Sequence, residues 1–211
     1  MDFLGRSRTL KLIVDTLSES RLIPKTLLRR RSKARKQFLS SFVSHGGVGA
    51  EIGVQKGFFS HVILDAVRPS RLHLIDPWYL LGERWEWADA NKSTTKALRN
   101  IIYWFQRELA QGDIVLHIGF DIPVLAALPD HYFDWVYLDT SHTYDDTKQE
   151  LTVLKDKVKT NGVIVGDDWF SNAGHPFYGQ YCAINEFVSA TDYIILSASD
   201  ADHQWALKKQ A

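Results

Sequence analysis

The residues of this 211-residue chain that are equipped for chemistry recur in one setting, at the polar ends of short apolar runs. In "VYLDTSHTYDD" (136–146) an apolar run ends on Asp139, and His142, Tyr144, Asp145 and Asp146 follow at once. "GVIVGDD" ends in Asp167 and Asp168, "AEIGVQKG" supplies Glu51, Gly53 and Gly57, "RLHLID" ends in Asp76, and "DIVLHIGFD" ends in Gly119, Phe120 and Asp121. Carboxylates grouped with an imidazole can move protons or hold a hard cation. His142 is the candidate general base, because an unperturbed imidazole titrates near the working pH; a supporting partner or a helix cap are the other roles open to it. Asp145 and Asp146 fall where a helix should open, where negative charge suits the helix dipole. His175, in the Gly/Pro-containing "SNAGHPFYG", reads as a surface-loop residue within reach of the same region.

The elements that must position these groups follow from the apolar pattern. Strand-length runs at 48–53, 71–76, 113–119, 135–139 and 162–167 alternate with helical stretches at about 57–67, 94–110, 121–128 and 143–158. That alternation predicts an α/β fold, a parallel sheet with helices on both faces, and the near-continuous apolar strands agree with burial on both sides. A helix at 180–189 precedes two further runs, 193–198 and 204–209, joined by a short "SDADH" turn and therefore read as an antiparallel pair. Ahead of the sheet, helices are expected at 7–18 and 26–44, separated by Pro24 and stopped by "HGG" at 45–47. In open parallel sheets ligands bind outside the carboxyl ends of the strands. One acidic strand end would be no more than a helix cap; five on the same edge point to a binding site.

Composition narrows the class. The length suits one domain with a substantial core, and 45% hydrophobic with 24% charged residues argues against disorder. The single cysteine, Cys182, excludes an intramolecular disulfide and a Cys-rich zinc site. Charges interrupt every apolar run near the start, so no secretory signal is read, and no run approaches the ~18 apolar residues of a membrane helix; a cytoplasmic protein is expected. The net charge of zero hides an asymmetry: residues 1–45 hold eleven Lys/Arg against three Asp/Glu, the remainder fourteen against twenty-two. The basic run "RRRSKARK" (29–36) suits a solvated helix face or a polyanion dock. With no interleaved aromatics and no nucleic-acid motif, nucleic acid is not the expected partner. Residues 1–45 are read as a basic helical segment, a lid or oligomer contact, ahead of a domain at 46–211. The long connection 77–95, with Trp78, Trp85 and Trp87, reads as an aromatic lid or binding loop.

The first turn, "EIGVQKG", is an E-x-G-x-x-x-G pattern, and no dinucleotide G-x-G-x-x-G occurs. Gly53 permits a tight turn, Gly57 close helix packing, and Asp76 can accept hydrogen bonds from two ribose hydroxyls. Together they suggest a nucleoside cofactor. The order "AEIGVQKGFFS", "LHLIDPW", "FDWVYLDTSHTYDD", "GVIVGDDW" resembles the class I S-adenosylmethionine-dependent methyltransferases, in the small-molecule O-methyltransferase branch that includes macrocin O-methyltransferase, with catechol O-methyltransferase more distant. The resemblance covers residues 46–209. It implies a Rossmann-like, doubly wound seven-stranded sheet, mostly parallel with the last strand antiparallel. It implies that Glu51, Gly53 and Gly57 surround the methionine part of the cofactor, that Asp76 holds the ribose, and that Phe120 and Asp121 meet the adenine. Asp139, Asp167 and Asp168 match the residues that bind a divalent cation, most simply Mg²⁺, in metal-dependent members. The chain departs from the pattern at Thr140, where glycine is usual, and at Gly119-Phe120-Asp121, where a Gly-Asp-Ser type triplet is common. On this reading three carboxylates would repel unless a cation neutralised them, and that cation would acidify a bound acceptor hydroxyl, with Asp139 and His142 as the catalytic pair. The alternatives are methylation of RNA or another polyanion docked on the basic segment, a non-catalytic cofactor-binding module, or other chemistry on the same scaffold.

Overall fold

The computed structural model describes residues 29–84 and 92–210. The chain divides into two compact units, Met1–Ala34 and Arg35–Ala211, and the second carries the sheet. The described elements are α1 (Arg29–Phe42), β1 (Val48–Ile52), α2 (Phe58–Val67), β2 (Arg71–Asp76), a 3₁₀ turn (Trp78–Arg84), α3 (Lys92–Trp104), α4 (Gln106–Gln111) and β3 (Ile114–Ile118). They continue with α5 (Asp121–Ala126), β4 (Phe133–Leu138), α6 (Tyr144–Lys157), β5 (Val158–Asp167), α7 (Tyr178–Ala190), β6 (Tyr193–Ser199) and β7 (Gln204–Lys209).

The seven strands form one sheet in the order β3-β2-β1-β4-β5-β7-β6. β1 to β5 are parallel, and β7 runs against both β5 and β6. This is the mixed, mostly parallel sheet expected from the apolar pattern and the antiparallel tail. Strand alternation sends Tyr137 and Val165 into a core with Leu39, Ile63 and Leu74, while Val136, Leu138 and Ile164 join a second core with Ile52, Leu151 and Trp205. Both faces are therefore covered, as a parallel sheet requires.

Three expectations change. The helix read at 94–110 is broken at Phe105, which leaves helical geometry at φ −107°, ψ 21° between α3 and α4. The break buries the Phe105 side chain against the His61 ring, with centroids 4.5 Å apart. Strand β5 begins at Val158 rather than 162, with a register shift where it passes β4 between Phe133 and Trp135. Trp78, grouped with the aromatic lid, is wholly buried; its indole Nε1–H donates to the Gln55 carbonyl at 2.9 Å and locks the β1 loop to the 3₁₀ turn. Trp85, Trp87 and the helix expected at 7–18 lie outside the described residues.

Candidate functional site

The chain winds outward from β1 through β2 to β3, then returns to lay β4 on the other side of β1. The carboxyl ends of β1 and β4 thus flank the switch point, where loops diverge and leave a crevice. Gly53 sits at its base with φ 85°, and a Cβ there would stand 1.9 Å from the Asp139 carbonyl oxygen, so the two strand ends can approach this closely only because residue 53 is glycine. Among the described residues, four of the seven non-glycine residues with positive φ, Gln55, Trp78, His142 and Asp168, lie on this edge just past strand ends. Backbone held in sparsely populated regions concentrates at functional sites.

On the β1–β2 side two carboxyls are buried and held by a hydroxyl and by backbone amides. Asp76 Oδ2 accepts from the Gln55 amide at 2.8 Å and Oδ1 from the Trp78 amide at 2.7 Å. Burial pushes its pKa up against these bonds. Glu51 accepts from Ser60 Oγ at 2.5 Å, and burial pushes its carboxyl up to about 8, more than Ser60 and the more distant Arg35 offset. Gly57 caps α2 at φ 73°, its missing Cβ making room for Ile101, and brings Ser60 over Glu51.

The β4–β5 side carries a cation of its own. Arg35, on α1, donates from Nη2 to Asp139 Oδ2 at 2.7 Å and lies 3.3 Å from Asp167 Oδ2. Its Nε donates to the Tyr137 hydroxyl at 2.8 Å, and its guanidinium lies 3.7 Å over the Phe59 ring. The Tyr137 hydroxyl donates in turn to Gln204 Oε1 at 2.8 Å, and Gln204 Nε2 donates to Asp167 Oδ1. Burial works to raise the Asp139 pKa, but Arg35 first and His142 second hold it well below the usual carboxylate range. Asp167, at the end of β5, is 1% exposed.

His142 lies 3.5 Å from Asp139 Oδ1 and 3.3 Å from Asp168 Oδ2 through Nε2. Its Nδ1 is 2.8 Å from Gln180 Oε1. Gln180 Nε2 donates to the Asp167 carbonyl at 2.6 Å, so its oxygen faces the ring and Nδ1 carries the proton. Nε2 is then the atom that gains or loses a proton, between two carboxylates. Burial lowers the His142 pKa, yet contact with Asp139 and Asp168 outweighs it and the net shift is upward.

The arrangement departs from the expected magnesium set. Asp139, His142 and Asp168 offer ligand atoms within 4.8 Å of one another, a group able to hold a metal. Asp167 is outside that group, its oxygens turned to Gln204 and Arg35. Two carboxylate oxygens with an imidazole, one carboxylate already paired to an arginine, fit a hard all-oxygen Mg²⁺ site poorly.

The remaining expected residues lie around these two sides. Phe120 caps α5 beyond β3 and is 46% exposed, an apolar ring open at the rim. Asp121 stands in the first turn of α5 against Glu150 of α6, whose carboxyl is raised by burial and by that neighbour. Thr143 caps α6 by accepting from the Asp146 amide at 3.2 Å, with Asp145 and Asp146 in the first turn. His175 stacks on Phe170 at 3.5 Å, and Phe177 lies 4.9 Å from His142. Sequence reasoning passed over Arg35, Tyr137, Gln180 and Gln204. For Arg35 there was a signal: it shares the helix face of Leu39 and Val43, four and eight residues on, both buried.

Comparison with known proteins identifies the family and the fold. Residues 50–169 match the family model described as a methyltransferase domain, more than half of the chain. No curated protein sequence matches the chain. Among solved structures, the chain is similar to a SAM-dependent methyltransferase from Aquifex aeolicus, with 12% identity, TM-score 0.58, and coverage of 92% of this chain and 95% of that one. It is similar also to a candidate methyltransferase from Streptococcus mutans in complex with SAH, with 10% identity, TM-score 0.56, and coverage of 86% and 99%. A candidate rRNA methylase from Clostridium thermocellum shares 12% identity at TM-score 0.60, with coverage of 85% and 95%. At these identities the structural likeness speaks for the fold alone.

Proposed function

The chain belongs to the class I S-adenosylmethionine-dependent methyltransferases, and we propose that it methylates a hydroxyl oxygen of a small-molecule acceptor, with His142 taking the proton. The observation that carries this reading is the His142–Gln180–Asp167 chain, which fixes the proton on Nδ1 and leaves Nε2 facing the crevice acids.

The cofactor fits the donor set on the β1–β2 side. Asp76 carries lone pairs beyond those its backbone partners use, suited to ribose hydroxyls. The exposed Phe120 offers a ring for a base to stack on, next to Asp121. Glu51, Gly53 and Gly57 supply the first loop for the methionine part. Bound S-adenosylmethionine would supply a methyl group on a positively charged sulfur, which an acceptor oxygen attacks in line.

The chain's own residues do the rest. Among Arg35, Asp139, Asp167, Asp168 and His142, one negative charge is in excess when His142 is protonated and two when it is neutral, a field that favours a cationic ligand. His142 Nε2 accepts the acceptor's proton, and Asp139 and Asp168 stabilise the imidazolium. Phe177 beside His142, and Phe170 between His175 and His203, form an aromatic shelf suited to a sugar or ring-bearing natural product. Positioning then supplies much of the rate.

The test is S-adenosylhomocysteine release from the full chain with S-adenosylmethionine and a panel of hydroxylated sugars and phenols. Release that depends on one acceptor class and is lost in His142→Gln supports the reading; cofactor binding without turnover on any hydroxyl counts against it. The basic run 29–36 gives RNA methylation as a second reading. It is weakened because Arg35 and Lys36 already pair with Asp139 and Asp65. RNA binding that falls steeply with salt would favour it.

A further inference from the structure

Arg35 lies ahead of the stretch that matches the family model, and the proposed function counts it only in the charge balance of the site. Its side chain is nonetheless among the most constrained on the sheet's carboxyl edge. It is 12% exposed and reaches β4 at Tyr137, the end of β4 at Asp139, the end of β5 at Asp167, and α2 at Phe59. A guanidinium in this position has two consequences. It bridges two carboxylates from neighbouring strands that would otherwise face each other, and offsets one of their two charges. By holding Asp139 Oδ2 it also turns Oδ1 toward His142, at 3.5 Å.

We propose that Arg35 is a positioning residue that acts as the site's built-in cation, taking the place between Asp139 and Asp167 that a divalent metal would need. The rigid fork of arginine suits this role, since it binds one carboxylate through Nη2 while Nε stays anchored to Tyr137 and the flat face packs on Phe59. Gln204 bridges Tyr137 and Asp167 and fixes both ends of the fork. The inference rests on the proposed function, because it concerns the acids that flank the proposed base. It goes beyond that function in predicting how the site treats metals.

The test is calorimetric titration of Mn²⁺ and Mg²⁺, and separately of S-adenosylhomocysteine, into the full-length wild type, Arg35→Met and Arg35→Lys. The wild type should bind neither metal below millimolar concentration. Arg35→Met leaves Asp139 and Asp167 without their cation and should gain a Mn²⁺ site at least thirtyfold tighter, lost again in Arg35→Met/Asp167→Asn. Arg35→Lys keeps the charge and should resemble the wild type. S-adenosylhomocysteine affinity should stay within threefold throughout. Micromolar Mg²⁺ binding by the wild type would overturn the proposal even if Arg35→Met does not fold. So would a folded Arg35→Met that gains no metal site, or a variant that loses S-adenosylhomocysteine affinity tenfold and thereby makes Arg35 a cofactor ligand. Failure of the wild type to bind S-adenosylhomocysteine would instead sink the proposed function, leaving the metal result to be read by itself.

Discussion

Two acidic pairs sit on the same sheet edge and behave in opposite ways. Asp139 and Asp167, at β4 and β5, share one arginine, and Asp139 stays ionised far below the usual range. Glu51 and Asp76, at β1 and β2, are both buried, more deeply than Asp139, but are served by a hydroxyl and by backbone amides, and their pKa values rise. Burial penalises the charged form in both pairs; the difference lies in whether a formal charge stands within contact distance. One side keeps fixed charge for proton transfer, while on the other burial works against the charged form and the acids are held by hydrogen bonds that suit a ligand with many polar atoms.

The sharpest way to break this contrast is to discharge the β4 acid. Asp139→Asn should cut turnover about a thousandfold with whichever acceptor the screen identifies, since it removes a partner of both Arg35 and His142. In the same variant His142 loses an anion, so its pKa falls and the acid limb of the rate profile moves to lower pH. In the wild type that limb should lie above the ordinary histidine value, and turnover should rise as pH passes through it. His142→Gln should cost about a hundredfold and remove the limb.

Glu51 tests the other side. Its carboxyl titrates near its ordinary value when unfolded and at about 8 when folded. The folded state thus holds a proton that the unfolded state releases, and stability present at low pH is lost as pH rises through about 8. Glu51→Gln should therefore weaken S-adenosylhomocysteine about tenfold yet raise the melting temperature at pH 8 relative to pH 5, by the equivalent of about 1–3 kcal/mol. A parallel drop in stability at both pH values would contradict the contrast. The smallest effect should come at the rim: Phe120→Ala should weaken S-adenosylhomocysteine by a few-fold, about 1 kcal/mol of stacking, with turnover at saturation unchanged.

The sheet was legible because its signals are local. Apolar runs of strand length with polar ends at Glu51, Asp76, Asp139 and Asp167 announce a parallel sheet and its working edge, and the "SDADH" turn announces the antiparallel tail. The break at Phe105 was not legible, because the residue is an ordinary apolar member of a helical pattern and only tertiary burial bends the chain there. The same limit hid the charge balance of the site. Asp139, His142 and Asp168 come together as their strand ends imply, but Asp139 is held by Arg35, over a hundred residues away, and His142 by Gln180 on a later element, while Gln204 holds Asp167. Arg35 was masked by its setting in "RRRSKARK", where a single inward-facing arginine looks like its solvated neighbours. What distinguishes it is helical phase, one turn before Leu39. The expectation of a divalent ion rests on the acids alone, without that arginine.

If the carboxyl edge at Glu51, Asp76 and Asp139 is one cofactor-and-base site, the cofactor must depend on its acids. Calorimetric titration of S-adenosylhomocysteine into the wild type and Asp76→Asn tests this most directly. One molecule should bind per chain at micromolar affinity, weakened about tenfold when the Asp76 carboxylate is lost. No binding up to millimolar concentration, or an affinity that ignores Asp76, would contradict it.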